Sequence, residues 1–358
     1  MIDVNKQRVV YYDYLRVFAI IAVIVLHIAA QEWSGLKGRD FEWQIFNVYN
    51  SISRWGVSVF LMISGSLFLT RDIEIKTIYK KYIPRMVVAY FLWSAIYALF
   101  APKNTLYLGA FSTFSIEDFI KSTLVGPVHL WFIPMIIGIY MCIPLIKQLV
   151  VSKKLLNYYL TLGFIFAYVV PQVVYLAKDF ATGFLKDLLL SLNTLVSDMN
   201  VRIVVGFVYI FVLGYFLAQT EFTKKQRRII YILGVIGFLA TILLNAIVGW
   251  KTNAISKNYY QTFTVNVLFE AVSVFVMFKY MKLDNEKLNA FISKLSKYSF
   301  GAYLVHILVM AAFRLWGFNA IAFNPIFCVP VLAVTTIVIS FAISALLNKI
   351  PFVNKWIV

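Results

Sequence analysis

Two ionisable side chains in the first apolar segment, Arg16 and His27, have a spacing that suits joint chemistry. Eleven positions separate them, which is about 20° beyond three full helical turns and roughly 16 Å along a helix axis. Both side chains therefore lie on one helix face, one near its start and one past its middle. Asp13 is three residues before Arg16, close enough to pair with it. An imidazole in such a place is a candidate general base.

Structural roles compete with this interpretation. Arg16 can extend its charge to a membrane interface, and His27 can bond a neighbouring helix. His306 is expected to be a helix–helix contact or a site residue. His129 and Trp131 suit either sugar binding or anchoring at an interface.

Glu270 lies in the middle of another apolar segment, where an ionisable residue is costly and indicates function by default. It can orient a sugar or pair with a buried cation such as Arg314. A purely structural pair or a protonated carboxyl is the alternative, and the sequence favours it slightly.

The composition shows what kind of elements must hold these residues. Of the 358 residues, 61% are hydrophobic and 14% are charged. Soluble domains have roughly 45–50% hydrophobic residues and about 25% charged residues. A soluble enzyme and a disordered chain are therefore both excluded. Cys142 and Cys328 stand alone in apolar runs, so neither a metal site nor a disulfide framework is expected.

A membrane span needs about 20 mostly apolar residues. This length predicts an all-α membrane bundle of about ten helices, forming one domain over residues 1–358 with no appended soluble domain. The segments are about 12–30, 51–70, 84–101, 129–150, 157–177, 200–219, 229–249, 261–280, 298–317 and 325–347. The weakest are 84–101 and 200–219.

The formal net charge is +17, and its distribution follows the predicted topology. Roughly twice as many Lys and Arg residues fall on the membrane side that holds the termini as on the opposite side. Arg54 is counted among the residues of the opposite side. Both termini are therefore predicted to be cytoplasmic. Because topology explains most of the positive charge, no nucleic-acid partner is expected.

Four sequence elements in order resemble the acyltransferase-3 family of multi-pass membrane O-acyltransferases. The first is Asp13, Arg16 and His27, and the second is a Phe-x-x-x-Ser-Gly pattern near the end of the second segment. The third is an HLWF element, and the fourth is a late Ser-aromatic-x-x-Tyr-Leu-x-His element. The residues of the last three elements are Phe60, Ser64 and Gly65, then His129, Leu130, Trp131 and Phe132, then Ser299, Phe300, Tyr303, Leu304 and His306.

One element departs from the family pattern. The family often has an Arg-x-x-Arg pair before its third helix, and this chain keeps only the second arginine, as Arg85. Tyr82 stands at the position of the first. Lys80 or Lys81 can supply the missing charge, although lysine lacks the two-pronged donor geometry of arginine.

The resemblance implies acyl transfer from acyl-CoA, most often acetyl-CoA, to a hydroxyl of a cell-envelope glycan or lipid-linked sugar at the inner (plasma) membrane. Arg16, Lys80, Lys81 and Arg85 would bind the coenzyme phosphates, and His27 would act as general base, with Arg16 and Asp13 completing the catalytic element. The acceptor would contact His129, Trp131, Glu270, Tyr303 and His306.

Two further interpretations stay open at this point. A transporter of a glycan or lipid-linked sugar would also have polar residues in a bundle, although no paired halves are visible in the sequence. A non-catalytic scaffold would tolerate loss of His27. The sequence identifies neither the acceptor nor the acyl length, and it leaves open a covalent intermediate and homo-oligomerisation.

Overall fold

The computed structural model describes residues 9–100 and 115–357, and every regular element within these residues is a helix. The all-helical prediction is confirmed. Several of the helices contain a short 3-10 or π turn. The helices are α1 Val10–Ala30, α2 Phe41–Leu69, α3 Ile75–Phe100, α4 Ile116–Val125, α5 Val128–Val150, α6 Lys153–Phe180, α7 Gly183–Asp198, α8 Phe207–Gln219, α9 Lys224–Thr252, α10 Asn258–Lys279, α11 Glu286–Leu315, α12 Pro325–Leu347 and α13 Pro351–Trp356.

Nine helices in the described residues are long and apolar enough to cross a membrane. The tenth predicted segment, 200–219, forms only the shorter apolar helix α8. Even so, α8 runs along most of α10: the Phe207 ring lies 5.0 Å from the Phe263 ring, near the start of α10. At the other end, Lys279 Nζ donates to the Leu217 carbonyl at 3.2 Å. The tenth segment is therefore packed in the bundle, but its helix of 13 residues is shorter than a membrane span requires.

The starts of α1 and α11 and the end of α12 lie at one end of the bundle. The Tyr14 hydroxyl donates to Asn289 Oδ1 at 2.9 Å, which joins α1 to α11. The Ser344 hydroxyl donates to the Tyr298 carbonyl at 2.8 Å, which brings the end of α12 to the first half of α11. The assignment of this end to the cytoplasm remains a prediction from charge.

Helix α1 is the centre of the bundle, packed against α2, α10, α11 and α12. Twelve of its 21 residues are buried. The residues that the sequence singled out on α1 are therefore held by protein on several sides, which limits how far they can move.

Helix α2 has two arms, Phe41–Ser51 and Trp55–Leu69, separated by a break at residues 52–54. The break lies beside the second half of α1, because the Asn50 side-chain amide donates to the Leu26 carbonyl at 3.3 Å. Arg54 is consequently inside the bundle and not among the outer loop charges. The count of charges placed Arg54 wrongly because no residue type at positions 52–54 indicates the break.

Small residues allow α2 and α8 to approach closely. Gly65 faces the Phe211 carbonyl and Gly214 faces the Met62 backbone, and a Cβ at either glycine would overlap these atoms. Small residues at a helix surface permit such close contact between neighbouring helices.

Gly65→Ala is therefore expected to destabilise the bundle by about 1–3 kcal/mol, because overpacking a tight contact forces the backbones apart. Gly138→Ala is the matched control, since nothing lies within 4 Å of its added Cβ. Unfolding of both variants in mixed micelles gives the comparison. Equal stability of the two variants would contradict the contact.

Candidate active site

A cavity of about 320 Å³ runs through the middle of the bundle, and Arg16 and His27 of the first sequence element are both in its wall. Arg16 lies in its wall at the level of the first half of α1, and His27 lies toward the end of the same helix. The helical phase worked out from the sequence is thus confirmed. The wall also includes Ser64, Met86, Phe132, Tyr140, Thr262, Ser299 and Phe300.

Asp13 holds Arg16 in place. Its Oδ1 atom accepts from Arg16 Nη1 at 3.1 Å and from the Ser296 hydroxyl at 2.8 Å, and its Oδ2 accepts from the Ser293 hydroxyl at 2.7 Å. Asp13 is 1% exposed, whereas the Arg16 side chain is 30% exposed. The expected pairing is confirmed, and the geometry makes Asp13 a positioning residue that fixes α1 to α11.

All three histidines of the chain meet beside the cavity. His306 Nε2 lies 3.1 Å from His27 Nδ1, and the His129 and His306 ring centroids are 5.7 Å apart. His27 and His129 are in the cavity wall, and His306 is fully buried behind them. The sequence singled out each histidine separately and did not predict their contact.

The hydrogen bonds of this cluster specify the tautomer of His27. His306 Nδ1 lies 2.6 Å from the Tyr303 carbonyl, which can only accept, so Nδ1 carries the proton. The Nε2 atom of a neutral His306 then accepts from His27 Nδ1. His27 is left with an unprotonated Nε2, which is the form that a general base requires.

His306→Ala is expected to lower the rate of the reaction at His27 by roughly tenfold to a hundredfold, less than loss of the base itself. His306→Gln retains an acceptor, so a partial recovery is expected. Turnover numbers and Michaelis constants for both variants test this. A change in the Michaelis constant alone would show that His306 acts on substrate binding instead.

The remaining aromatic candidates lie at the level of the histidines. Trp131 is 41% exposed and is in the cavity wall, 5.2 Å from the Phe207 ring. Tyr303 is also in the wall, and its hydroxyl donates to the His129 carbonyl. Both residues can contact a bound molecule. Their role in acceptor binding stays a prediction.

The basic residues in the first half of α3 are near the Arg16 end but outside the cavity wall. Lys80, Lys81 and Arg85 are exposed. Arg85 is close enough to the Tyr140 hydroxyl for its charge to act there, and Tyr140 is part of the wall. Tyr82, at the position where the family has an arginine, packs against Phe68 at 4.9 Å. Phosphate binding by these cations stays a prediction.

Glu270 is fully buried and is not in the cavity wall. Its Oε1 accepts from the Thr241 hydroxyl. The suggested pair with Arg314 is wrong, because Arg314 Nη1 lies 2.9 Å from Glu32 Oε1 at another place in the bundle. The sequence alone does not show which of two acidic residues on different helices pairs with Arg314.

Arg54 is the residue in the cavity wall whose position the sequence did not predict. Its guanidinium carbon lies 4.4 Å from the Tyr260 ring centroid. Its charge acts on His27 and on Glu270, so it lies near both the histidine cluster and the buried carboxyl. In the sequence, Arg54 is marked only by its place at the start of an apolar run that contains Gly56 and Gly65.

Comparison with known proteins gives one match. A family model for an acyltransferase domain, of the acyltransferase-3 type, matches residues 9–345, nearly the whole chain. No curated protein and no solved structure matches. The matched range includes every residue of the cavity wall.

Proposed function

This chain belongs to the acyltransferase-3 family and is a multi-pass membrane acyltransferase, and from that membership we propose that it transfers an acetyl group from acetyl-CoA to a hydroxyl of a cell-envelope glycan or lipid-linked sugar. The observation that carries the proposal is the single cavity that joins Arg16 to His27. A phosphate-bearing donor with a long, thin arm fits a site whose cation and imidazole are roughly 16 Å apart along one helix.

The donor enters from the Arg16 end. Arg16 presents a guanidinium held by Asp13 and only partly covered, and Arg85 lies near the same end of the cavity. Guanidinium groups bind phosphate oxygens through paired charge-assisted hydrogen bonds. The coenzyme phosphates bind there, and the thioester reaches the histidines. Because coenzyme A is supplied inside the cell, this end faces the cytoplasm and the protein resides in the plasma membrane.

The acceptor hydroxyl reaches His27 from the side of Trp131. His27 Nε2 takes the hydroxyl proton while the oxygen attacks the thioester carbonyl. The tetrahedral intermediate then collapses, the carbon–sulfur bond breaks, and the coenzyme thiolate takes the proton from His27. An O-acetyl ester and free coenzyme A are the products. Donor and acceptor meet in one cavity, which supports direct transfer without an acyl-enzyme.

The proposal is tested with purified protein in nanodiscs, radiolabelled acetyl-CoA and an envelope glycan fraction as acceptor. We expect label in the glycan that mild alkali releases, as it does for an ester. The transporter alternative predicts instead that labelled glycan enters proteoliposomes without acetyl-CoA. Transport in the absence of any ester formation would overturn the proposal.

A further inference from the structure

Arg54 is a cation in the cavity wall for which the described part of the chain supplies no hydrogen-bond acceptor. Its Nε atom is buried without a hydrogen-bond partner, and no carboxylate of residues 9–100 or 115–357 forms an ion pair with it. Its guanidinium carbon lies over the Tyr260 ring, 4.4 Å from the ring centroid. A cation in a membrane bundle is costly unless it is paired, and it indicates function by default.

The contacts around Arg54 restrict its movement. The Tyr260 hydroxyl donates to Asn47 Oδ1. The Tyr260 ring also stacks on the Trp33 ring, with the two ring centroids 5.5 Å apart. Tyr260 is 3% exposed. The charge of Glu270 acts on Arg54, but Glu270 forms no ion pair with it: Oε1 accepts from Thr241, and Oε2 is buried without a hydrogen-bond partner among the described residues. The guanidinium is therefore a charge held in the cavity wall.

The position of Arg54 excludes the donor phosphates as its ligand. Those phosphates bind at Arg16, roughly 16 Å from His27 along α1. The charge of Arg54 acts on His27, and Arg54 shares the cavity wall with Tyr260 and Thr262. An anion at Arg54 must therefore arrive with the acceptor.

We infer that the acceptor is an anionic glycan, and that Arg54 binds a carboxylate or phosphate ester next to the hydroxyl that receives the acyl group. This inference rests on the proposed acyl transfer and specifies its substrate class. Arginine presents a planar pair of donors that matches either oxyanion. Trp131, exposed in the same wall, supplies an aromatic face for the sugar ring.

Three probe acceptors of similar size test the inference: methyl glucoside, methyl glucuronide and glucose 1-phosphate. The wild-type protein is expected to have a KM for the anionic probes at least about tenfold below that for the neutral probe. The order of the two anionic probes distinguishes a carboxylate from a phosphate. Arg54→Gln should remove the anionic preference, and Arg54→Lys should retain part of it.

Arg202→Gln is the matched control, because Arg202 is exposed and outside the cavity wall. Equal KM values for neutral and anionic probes in the wild type would overturn the inference. A loss of kcat in Arg54→Gln that is the same for all three probes would also overturn it, and would assign Arg54 to the oxyanion of the tetrahedral intermediate. If Arg54→Gln fails to fold, the KM values of Arg54→Lys and of the wild type for the three probes are compared instead.

Failure of the inference is separable from failure of the proposed function. Acetyl-CoA binding and ester formation on the envelope glycan are measured without the probes. If the probes are not acetylated, their binding to the purified protein is measured by saturation-transfer NMR. Anionic probes that bind no better than methyl glucoside would still overturn the inference.

Discussion

Replacing His27 with alanine is expected to slow acyl transfer by about 10²–10⁴-fold, the usual contribution of a general base. His27 is the histidine in the cavity wall whose Nε2 is left unprotonated by its bond to His306. Without it the acceptor hydroxyl must lose its proton unaided. Acetyl-CoA should still bind with nearly the same affinity, because its phosphates contact the other end of the cavity.

The His27 measurement is the initial rate of label transfer from acetyl-CoA to glycan, beside the dissociation constant for acetyl-CoA. His27→Gln is the second variant, since glutamine fills more of the space and can still donate to His306 but cannot act as a base. Retained donor binding shows that the variants are folded. Normal transfer in either variant would end the catalytic proposal and would favour the scaffold interpretation.

Replacing Arg16 with alanine is expected to weaken acetyl-CoA binding by about tenfold to a hundredfold, the value of one or two hydrogen bonds to a charged group. The loss has two sources. The cation itself is removed from the cavity, and the Asp13 carboxylate loses its positive partner and repels the donor phosphates. Isothermal titration of the detergent-solubilised protein measures the change.

Two further variants show whether the loss of affinity is specific to Arg16 and to its paired donors. Arg16→Lys retains the charge without the paired donors, so intermediate affinity is expected. Arg228→Ala removes an exposed arginine outside the cavity wall and should bind acetyl-CoA like the wild type. Unchanged affinity in Arg16→Ala would mean that the phosphates bind elsewhere, with Lys80, Lys81 and Arg85 the next residues to test.

Sequence periodicity predicted the part of the site that lies on one helix. The distance in residues between Arg16 and His27 fixes their common face, because an uninterrupted helix has a constant turn and rise. The pairing of Asp13 with Arg16 follows from the same geometry. Nine of the ten apolar segments were equally predictable as spans, since the thickness of the hydrocarbon layer sets their length, whereas 200–219 forms only the shorter helix α8.

Contacts between distant helices could not be predicted in this way. His306 is 279 positions from His27, and its hydrogen bond depends on how α1 and α11 pack. The break in α2 that brings Arg54 into the bundle has no proline or other local signal. The choice of Glu32 over Glu270 as the partner of Arg314 likewise depends on three-dimensional neighbours.

The most direct test of the account locates the acyl group in the cavity. An acyl-CoA analogue with a diazirine in a short acyl chain is bound to the purified protein, irradiated, and the labelled peptides are mapped by mass spectrometry. We predict label on wall residues near His27, such as Val57, Phe60 and Phe132, and its loss when excess acetyl-CoA is present. Label confined to the apolar groove between Trp93 and Trp316, or insensitive to acetyl-CoA, would contradict the account.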